Sequence, residues 1–162
     1  EVMGFKTQDT IVLIMVVNIT AAIGAFFFGY LQGKFGSVRC IMITLLIWSA
    51  AIVCAYYATD SMLFWIAANL IGIALGGAQS AGRALVGKLT PLGRQGEFFG
   101  LWGLATKLSA IIGPITYGGM VYWFEGDHRI ALLSTLGFFI SGFVLMATVN
   151  EERGRKKAEI FS

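Results

Sequence analysis

The feature that most constrains this chain is a nearly unbroken apolar stretch at residues 97–123, EFFGLWGLATKLSAIIGPITYGGMVYW. A helix needs about 20 apolar residues to cross the hydrocarbon core of a bilayer, and this stretch exceeds that length. One basic residue, Lys107, lies in its middle. Because a charged side chain at the centre of a bilayer costs at least ~2.5 kcal/mol, we predict a membrane helix whose lysine faces protein or a cavity instead of lipid.

Small and polar residues accompany Lys107 at spacings of three and four. The stripe consists of Gly100, Gly103, Lys107, Ala110, Pro114 and Gly118. Residues at this spacing share one face of a helix, and small residues let a second helix approach closely. The stripe therefore predicts tight packing of this helix against neighbouring helices.

Four further apolar runs give the chain its overall character. It is 57% hydrophobic and only 13% charged, whereas roughly a quarter of the residues in a soluble domain are charged. The sequence predicts an all-α, polytopic membrane bundle that forms a single domain. The five predicted transmembrane helices lie at about 11–31, 40–58, 62–87, 97–123 and 130–149, and a basic tail follows at 150–162.

Basic residues concentrate on one side of this predicted bundle. That side carries Lys34, Arg39, Arg83, Lys88, Arg94, Arg153, Arg155, Lys156 and Lys157, and the other carries Lys6 and Arg129. The positive-inside rule then predicts an outside N-terminus and a cytoplasmic tail that meets anionic lipid. Since the number of spans is odd and the chain begins at Glu1 without a methionine, we expect further helices to precede it.

The first and third predicted helices also carry polar stripes. On the first, Asn18 lines up with small residues that end at Gly29; on the third, Asn69, Ser80 and Arg83 line up with two glycines. Polar stripes of this kind face the interior of a membrane bundle. The candidates for a substrate path are therefore Asn18, Asn69, Gln79, Ser80 and Lys107. For Asn69 the alternative is a hydrogen bond between helices, and the bulky second helix is predicted to face lipid.

The segment GYLQGKFGSVR at residues 29–39 resembles the loop signature of the major facilitator superfamily, which follows the second helix of each half. The matching residues are Gly29, Leu31, Lys34, Gly36 and Arg39. Gly33 stands where the superfamily has aspartate. The resemblance implies a role in gating for Gly29, Lys34, Gly36 and Arg39, and the alternative is an ordinary basic, glycine-rich turn.

A denser match covers residues 76–114, GGAQSAGRALVGKLTPLGRQGEFFGLWGLATKLSAIIGP. This segment resembles the penultimate helical hairpin of the vacuole-effluxer family related to autophagy, a branch of the same superfamily with many bacterial members. The likeness rests on Gln79, Ser80, Arg83, Pro91, Gly93, Arg94, Glu97, Phe98, Phe99, Gly100, Lys107, Gly113 and Pro114.

The resemblance implies that the five spans are the eighth to twelfth of twelve, the C-terminal part of a secondary transporter. The third span here would line the central cavity, and the first and fourth would meet the other half. The implied activity is export of small solutes, with amino acids as one class, by alternating access in a bacterial inner membrane.

Two further features suggest gating. The segment GPITYGG at 113–119 resembles a glycine-proline motif of the superfamily's antiporters; proline with glycine weakens a helix locally, which makes Gly113 and Pro114 hinge candidates. The alternative is a packing kink. Arg83 and Glu97, with Arg94 between them in sequence, are positioned to pair across the hairpin and hold an inner gate, or else are solvated interfacial charges.

Lys107 has no carboxylate at its predicted depth in this chain. Its partner is therefore a backbone carbonyl, Asn18, an acid on the preceding helices, or an anionic group of the substrate. Snorkelling of the side chain to the cytoplasmic surface is the remaining alternative. A substrate that carries a carboxylate would suit an unpaired lysine.

The sequence offers no nucleophile–base pair, metal-binding cluster or phosphate loop, so we predict no enzyme activity, cofactor, metal or nucleic-acid partner. The predicted partners are the lipid bilayer, a small-molecule substrate and the preceding helices. A different class remains open: a membrane scaffold or assembly subunit that transports nothing and uses its small-residue stripes for oligomer contacts.

Overall fold

The computed structural model describes residues 7–58 and 60–160, and within them the chain forms six α-helices. They are α1 (Thr7–Phe35), α2 (Ser37–Tyr57), α3 (Ser61–Leu89), α4 (Gln95–Trp123), α5 (His128–Ala147) and α6 (Glu151–Ile160). The first five are long and apolar enough to cross a membrane. The predicted all-α membrane bundle of five spans is thus confirmed, while Lys6 lies outside the described residues.

The helix ends follow local chemistry that an apolar run does not reveal. The Asp60 side chain accepts a hydrogen bond from the Leu63 backbone N–H at 2.8 Å and begins α3, and Asp127 does the same for α5 through the N–H of Arg129 at 2.8 Å. Gly36, with φ of +87°, separates α1 from α2. Most helices therefore extend a few residues beyond the predicted spans, since their polar first and last turns also take helical form.

The α1–α3 interface is built from small residues that bring the two backbones into close contact. Gly76 packs against the backbone of Ala21, Gly72 against Thr20, and Gly24 against the backbone of Ile73. A Cβ atom at any of these three glycines would overlap the facing helix. The glycine stripe of α3 therefore faces α1, and the absence of side chains at these positions lets the two helices approach closely.

The buried core lies where α1, α2 and α3 meet. Phe28 is 1% exposed, Cys40 and Ala81 are fully buried, and Gly77 leaves room for the Phe28 ring and the Thr44 methyl group. The prediction that the second helix faces lipid is wrong for one of its two sides, because Ser37, Val38, Cys40, Thr44, Ala51 and Ile52 are buried. Bulky apolar residues occur on both the buried and the exposed side of α2. Composition alone therefore does not show which side packs against the other helices.

The α5 helix lies at the edge of the bundle, next to α2 and α4. The α5 helix packs on α2 and α4, and the rings of Trp48 and Phe139 stack with their centroids 5.1 Å apart. The α3 helix contacts α1, α2 and, less extensively, α4. As a result, α1, α2 and α3 form a closely packed unit, whereas α4 is attached mainly through α5.

We predict that Gly76→Ala destabilises the full-length protein by about 1–3 kcal/mol, the usual cost of overpacking a tight contact. Its Cβ atom would meet the backbone of Ala21, which cannot move aside like a flexible side chain. Thermal unfolding in detergent measures the effect. Gly33→Ala is the matched control, because a Cβ atom there meets nothing within 4 Å among the described residues; equal midpoints for the two variants would contradict the interlocked interface.

Candidate functional site

Lys107 lies on the face of α4 that points away from the other described helices. Phe98 and Thr116 are partly buried against the bundle, and each is nine residues from Lys107. Nine residues are two and a half helical turns, so the lysine side chain leaves the opposite side of the helix. Lys107 is exposed, and within the part of the chain that the structure describes no helix covers it.

The small residues beside Lys107 share this uncovered face. Cβ atoms placed at Gly100, Gly103 and Gly118 would meet nothing within 4 Å among residues 7–58 and 60–160. No residue of α4 is buried. The predicted tight packing of the stripe is therefore not made by this chain's own described helices, and α4 presents a small, polar and unoccupied surface.

Arg83 and Gln79 are exposed polar residues on α3. The Arg83 guanidinium lies over the Trp102 ring of α4, 5.6 Å from its centroid. Gln79 is one turn before Arg83 and is likewise exposed. This cation–π contact joins α3 to α4 near the end of the bundle that is rich in basic residues.

The predicted pairing of Arg83 with Glu97 is wrong in this structure. Glu97 pairs instead with Arg94, with Arg94 Nε 2.9 Å from Glu97 Oε2, and both side chains are more than half exposed. Residues three apart on a helix are neighbours, so this local pair needs no contact between helices. Exposed pairs of this kind contribute little to stability, typically below ~1 kcal/mol.

The two asparagines satisfy their amide groups within their own helices. Asn18 Nδ2 donates to the carbonyl of Ile14 and Asn69 Nδ2 to that of Trp65, both at 2.8 Å. Asn69 is partly buried, but Asn18 is exposed, so the expectation that Asn18 faces another helix is not met by the described residues. Like Lys107, Asn18 lies on a surface that this part of the chain leaves uncovered.

Ser80 and Gly29 face each other across the α1–α3 interface. A Cβ atom at Gly29 would lie 3.2 Å from the Ser80 hydroxyl oxygen. One candidate for the substrate path thus contacts one candidate for gating. Any sliding of α1 along α3 would change this contact.

Glu151, predicted only as part of the basic tail, connects three helices at the basic end of the bundle. It accepts hydrogen bonds from the Val38 backbone N–H at 3.0 Å and from Lys88 Nζ at 2.8 Å. Lys88 also donates to the buried hydroxyl of Ser37 at 3.0 Å. One carboxylate therefore ties α6 to the start of α2 and the end of α3, and no motif in the sequence pointed to it.

The environment of Glu151 changes its proton affinity. Burial is the largest influence and acts to raise the pKa, but it is outweighed by the hydrogen bond and charge of Lys88 together with the backbone N–H groups of Val38 and Ser37. The net effect holds the pKa of Glu151 below its ordinary value. The carboxylate is thus kept ionised at neutral pH.

The remaining gating candidates lie at two separate places. Lys34 Nζ lies 5.0 Å from the centroid of the Tyr30 ring, and Arg39 is exposed nearby at the start of α2. Gly113 and Pro114 lie far from both, inside α4, which continues through the proline. Their role as a hinge stays a prediction.

Nothing in the described ranges provides a metal centre. No group of three or more His, Cys, Asp or Glu side chains there could hold an ion. Cys40 and Cys54 are free thiols. The only histidine, His128, has its Nδ1 atom 3.1 Å from the Tyr117 hydroxyl, which links the ends of α4 and α5.

Comparison with known proteins gives one family. The family model described as "Vacuole effluxer Atg22 like" matches residues 1–159. The chain is 27% identical over 150 residues to an uncharacterized MFS-type transporter, YxiO, of Bacillus subtilis, with 93% of this chain and 35% of that protein covered. It is 25% identical over 167 residues to autophagy-related protein 22 of Eremothecium gossypii, with 95% and 32% covered.

A shorter match is closer in sequence. The chain is 32% identical over 97 residues to autophagy-related protein 22 of Yarrowia lipolytica, which covers 59% of this chain and 16% of that protein. The chain spans about a third of the length of the first curated relatives that it matches. No solved structure matches it.

We predict that Glu151→Gln loosens α6 from the bundle in the full-length protein. The substitution removes the charge that Lys88 and the Val38 N–H stabilise, so trypsin should cleave after Arg153 and Arg155 faster than in the parent protein. In the parent, the same loosening should appear at low pH, where the acid-active protease pepsin replaces trypsin as the probe of α6. Because the folded-state pKa is depressed, the stabilisation is complete above the unfolded value of about 4.3 and is lost as the pH falls through the folded value.

The matched control is Glu159→Gln, since Glu159 lies on the same helix and makes only an exposed contact of 3.7 Å with Arg155. Cleavage that is equally fast in the parent, Glu151→Gln and Glu159→Gln proteins would contradict the docking role of Glu151.

Proposed function

Because this chain belongs to the Atg22-like vacuole-effluxer family of MFS-type transporters, we propose that it forms the last five membrane helices of a twelve-helix secondary transporter. Such a protein would move small solutes by alternating access, with two bundles rocking about a site near the membrane midplane. The chain spans only about a third of the length of these relatives, and this fraction supports the proposal. So does the loop signature at residues 29–39.

The observation that carries the proposal is the uncovered face of α4. Its 29 residues extend over ~43 Å, and Lys107 lies near the middle of that length. An ammonium group and a row of glycines at this depth are poorly suited to lipid tails. We infer that the other half of the transporter, or a water-filled cavity between the halves, covers this face.

Lys107 is then the main candidate for contact with substrate. An unpaired ammonium group at the midplane would bind an anionic group, and a carboxylate such as that of an amino acid fits this chemistry. An acid on the preceding helices is the alternative partner. Asn18, Gln79 and the partly buried Asn69 would supply further polar groups to the same path.

The cytoplasmic end of the path is the proposed position of the gate. Arg83 over Trp102 would close the gap between α3 and α4. The Ser80–Gly29 contact would change when α1 moves relative to α3. The basic residues at this end favour a cytoplasmic location for α6 by the positive-inside rule. A relative from Bacillus subtilis supports a bacterial plasma membrane as the site of the protein.

A scaffold or assembly subunit remains the second candidate. The same uncovered stripe, with Gly100, Gly103 and Gly118, would suit contact with another membrane protein. Flux measurements on the full-length protein in proteoliposomes distinguish the two, because a scaffold moves no solute.

We predict that Lys107→Ala lowers the kcat/KM of transport of carboxylate-bearing solutes by about ten- to a hundredfold, which corresponds to loss of a charged hydrogen bond of ~1.5–3 kcal/mol. Lys107→Arg should retain much of the activity, since it keeps the charge. Arg129→Ala is the control, because Arg129 is an exposed cation at the other end of the bundle. Unchanged transport in Lys107→Ala would exclude the substrate role, and no flux of any solute by the parent protein would favour the scaffold.

A further inference from the structure

A cavity of about 660 Å³ lies at the basic end of the bundle, between the end of α1, the start of α2, the end of α5 and α6. It is separate from the uncovered face of α4. We propose that this cavity binds the phosphate-bearing headgroup of an anionic phospholipid from the adjacent membrane leaflet. The proposal does not depend on what the protein transports.

The charges in the cavity favour an anion. Its lining includes four cations, Lys34, Arg39, Lys88 and Arg155, and two carboxylates, Glu151 and Glu152. Lys88 and Glu151 neutralise each other at 2.8 Å, and Glu152 lies 3.4 Å from Lys156 outside this lining. An excess of positive charge therefore remains in the cavity.

Two of these cations are available to a ligand. In the ranges that the structure describes, no ion pair involves Lys34 or Arg39, and both side chains are exposed. The guanidinium group of Arg39 presents paired N–H donors that match the oxygens of a phosphate, and the ammonium group of Lys34 adds a second charge. Together they can neutralise one phosphate group.

The carboxylate at the back of the cavity does not oppose such a ligand. Glu151 accepts hydrogen bonds from both Lys88 and the Val38 backbone, so its negative charge is already compensated. The same bonds hold α6 against α2 and α3. This gives the cavity a fixed wall instead of a flexible tail.

The walls distinguish a lipid from a soluble anion. Besides the charged residues and the polar Thr148 and Asn150, the lining includes apolar residues at the ends of the spans, among them Phe35, which is 51% exposed, and Val149, which is 37% exposed. Val38 and Ala147 continue this apolar side. A site with a basic rim and an apolar wall at the end of membrane helices fits a headgroup with the first carbons of its chains.

The test is a titration of the delipidated full-length protein with short-chain phosphatidylglycerol, followed by thermal shift and by native mass spectrometry. We expect binding of phosphatidylglycerol, weaker binding of phosphatidylcholine, and weaker binding still of inorganic phosphate. Arg39→Gln should lower the affinity for phosphatidylglycerol about fivefold, as expected for one basic residue near an anionic lipid, and Lys34→Gln by a similar factor. Arg39→Lys should recover part of the loss.

Lys157→Gln is the matched control, because Lys157 is an exposed cation on α6 that does not line this cavity. An equal loss in Lys157→Gln would overturn the proposal in favour of general attraction to a charged surface. Equal binding of phosphatidylcholine, or tight binding of inorganic phosphate alone, would overturn the assignment to an anionic lipid. Lys34→Gln carries the same test if Arg39→Gln cannot be purified in folded form.

Discussion

The structure depends on one constraint: an ammonium group in the middle of an apolar helix cannot be left among lipid tails without a partner. Lys107 is attached to the side of α4 that none of the described helices covers. Phe98 and Thr116, on the opposite side, face the bundle. The face of α4 that carries Lys107, which is the face least suited to lipid tails, thus points away from the other described helices. A partner that covers this face is the simplest way to keep the ammonium group out of lipid.

The five spans differ in how firmly they are held. Gly24, Gly72 and Gly76 bring α1 and α3 into backbone contact, and Phe28 and Cys40 complete a core with α2. By contrast, α4 buries no residue, and its Trp102 ring contacts Arg83 of α3. A closely packed unit beside a loosely attached helix is an arrangement that lets α4 move relative to α1, α2 and α3.

Much of the architecture follows from the sequence, because hydrocarbon leaves so few solutions. Apolar length alone predicts the five spans, and the glycine spacing of the third predicts its packing face. Contacts that depend on neighbours in space do not follow. Glu97 pairs with Arg94 and not with Arg83, because Arg94 is only three residues away in the chain. The α2 helix buries a face whose composition resembles that of its exposed face. Glu151 is the clearest case, since its partners Val38 and Lys88 are distant in sequence. The roles of the candidate path residues stay predictions, because the covering partner that we propose is not among the described helices.

The most direct test is a nitroxide label at Lys107→Cys in the full-length protein, after its native cysteines, including the free thiols Cys40 and Cys54, have been replaced by alanine. The labelled protein is reconstituted in liposomes, and its relaxation by lipid-soluble oxygen is compared with that by a water-soluble nickel chelate. A label at Val53→Cys on the exposed side of α2 supplies the lipid-facing reference. The account predicts that the label at position 107 is shielded from oxygen, and reached by the nickel chelate, relative to the label at position 53. Equal exposure of both labels to oxygen, with neither reached by the chelate, would mean that position 107 lies among lipid tails and would contradict the account.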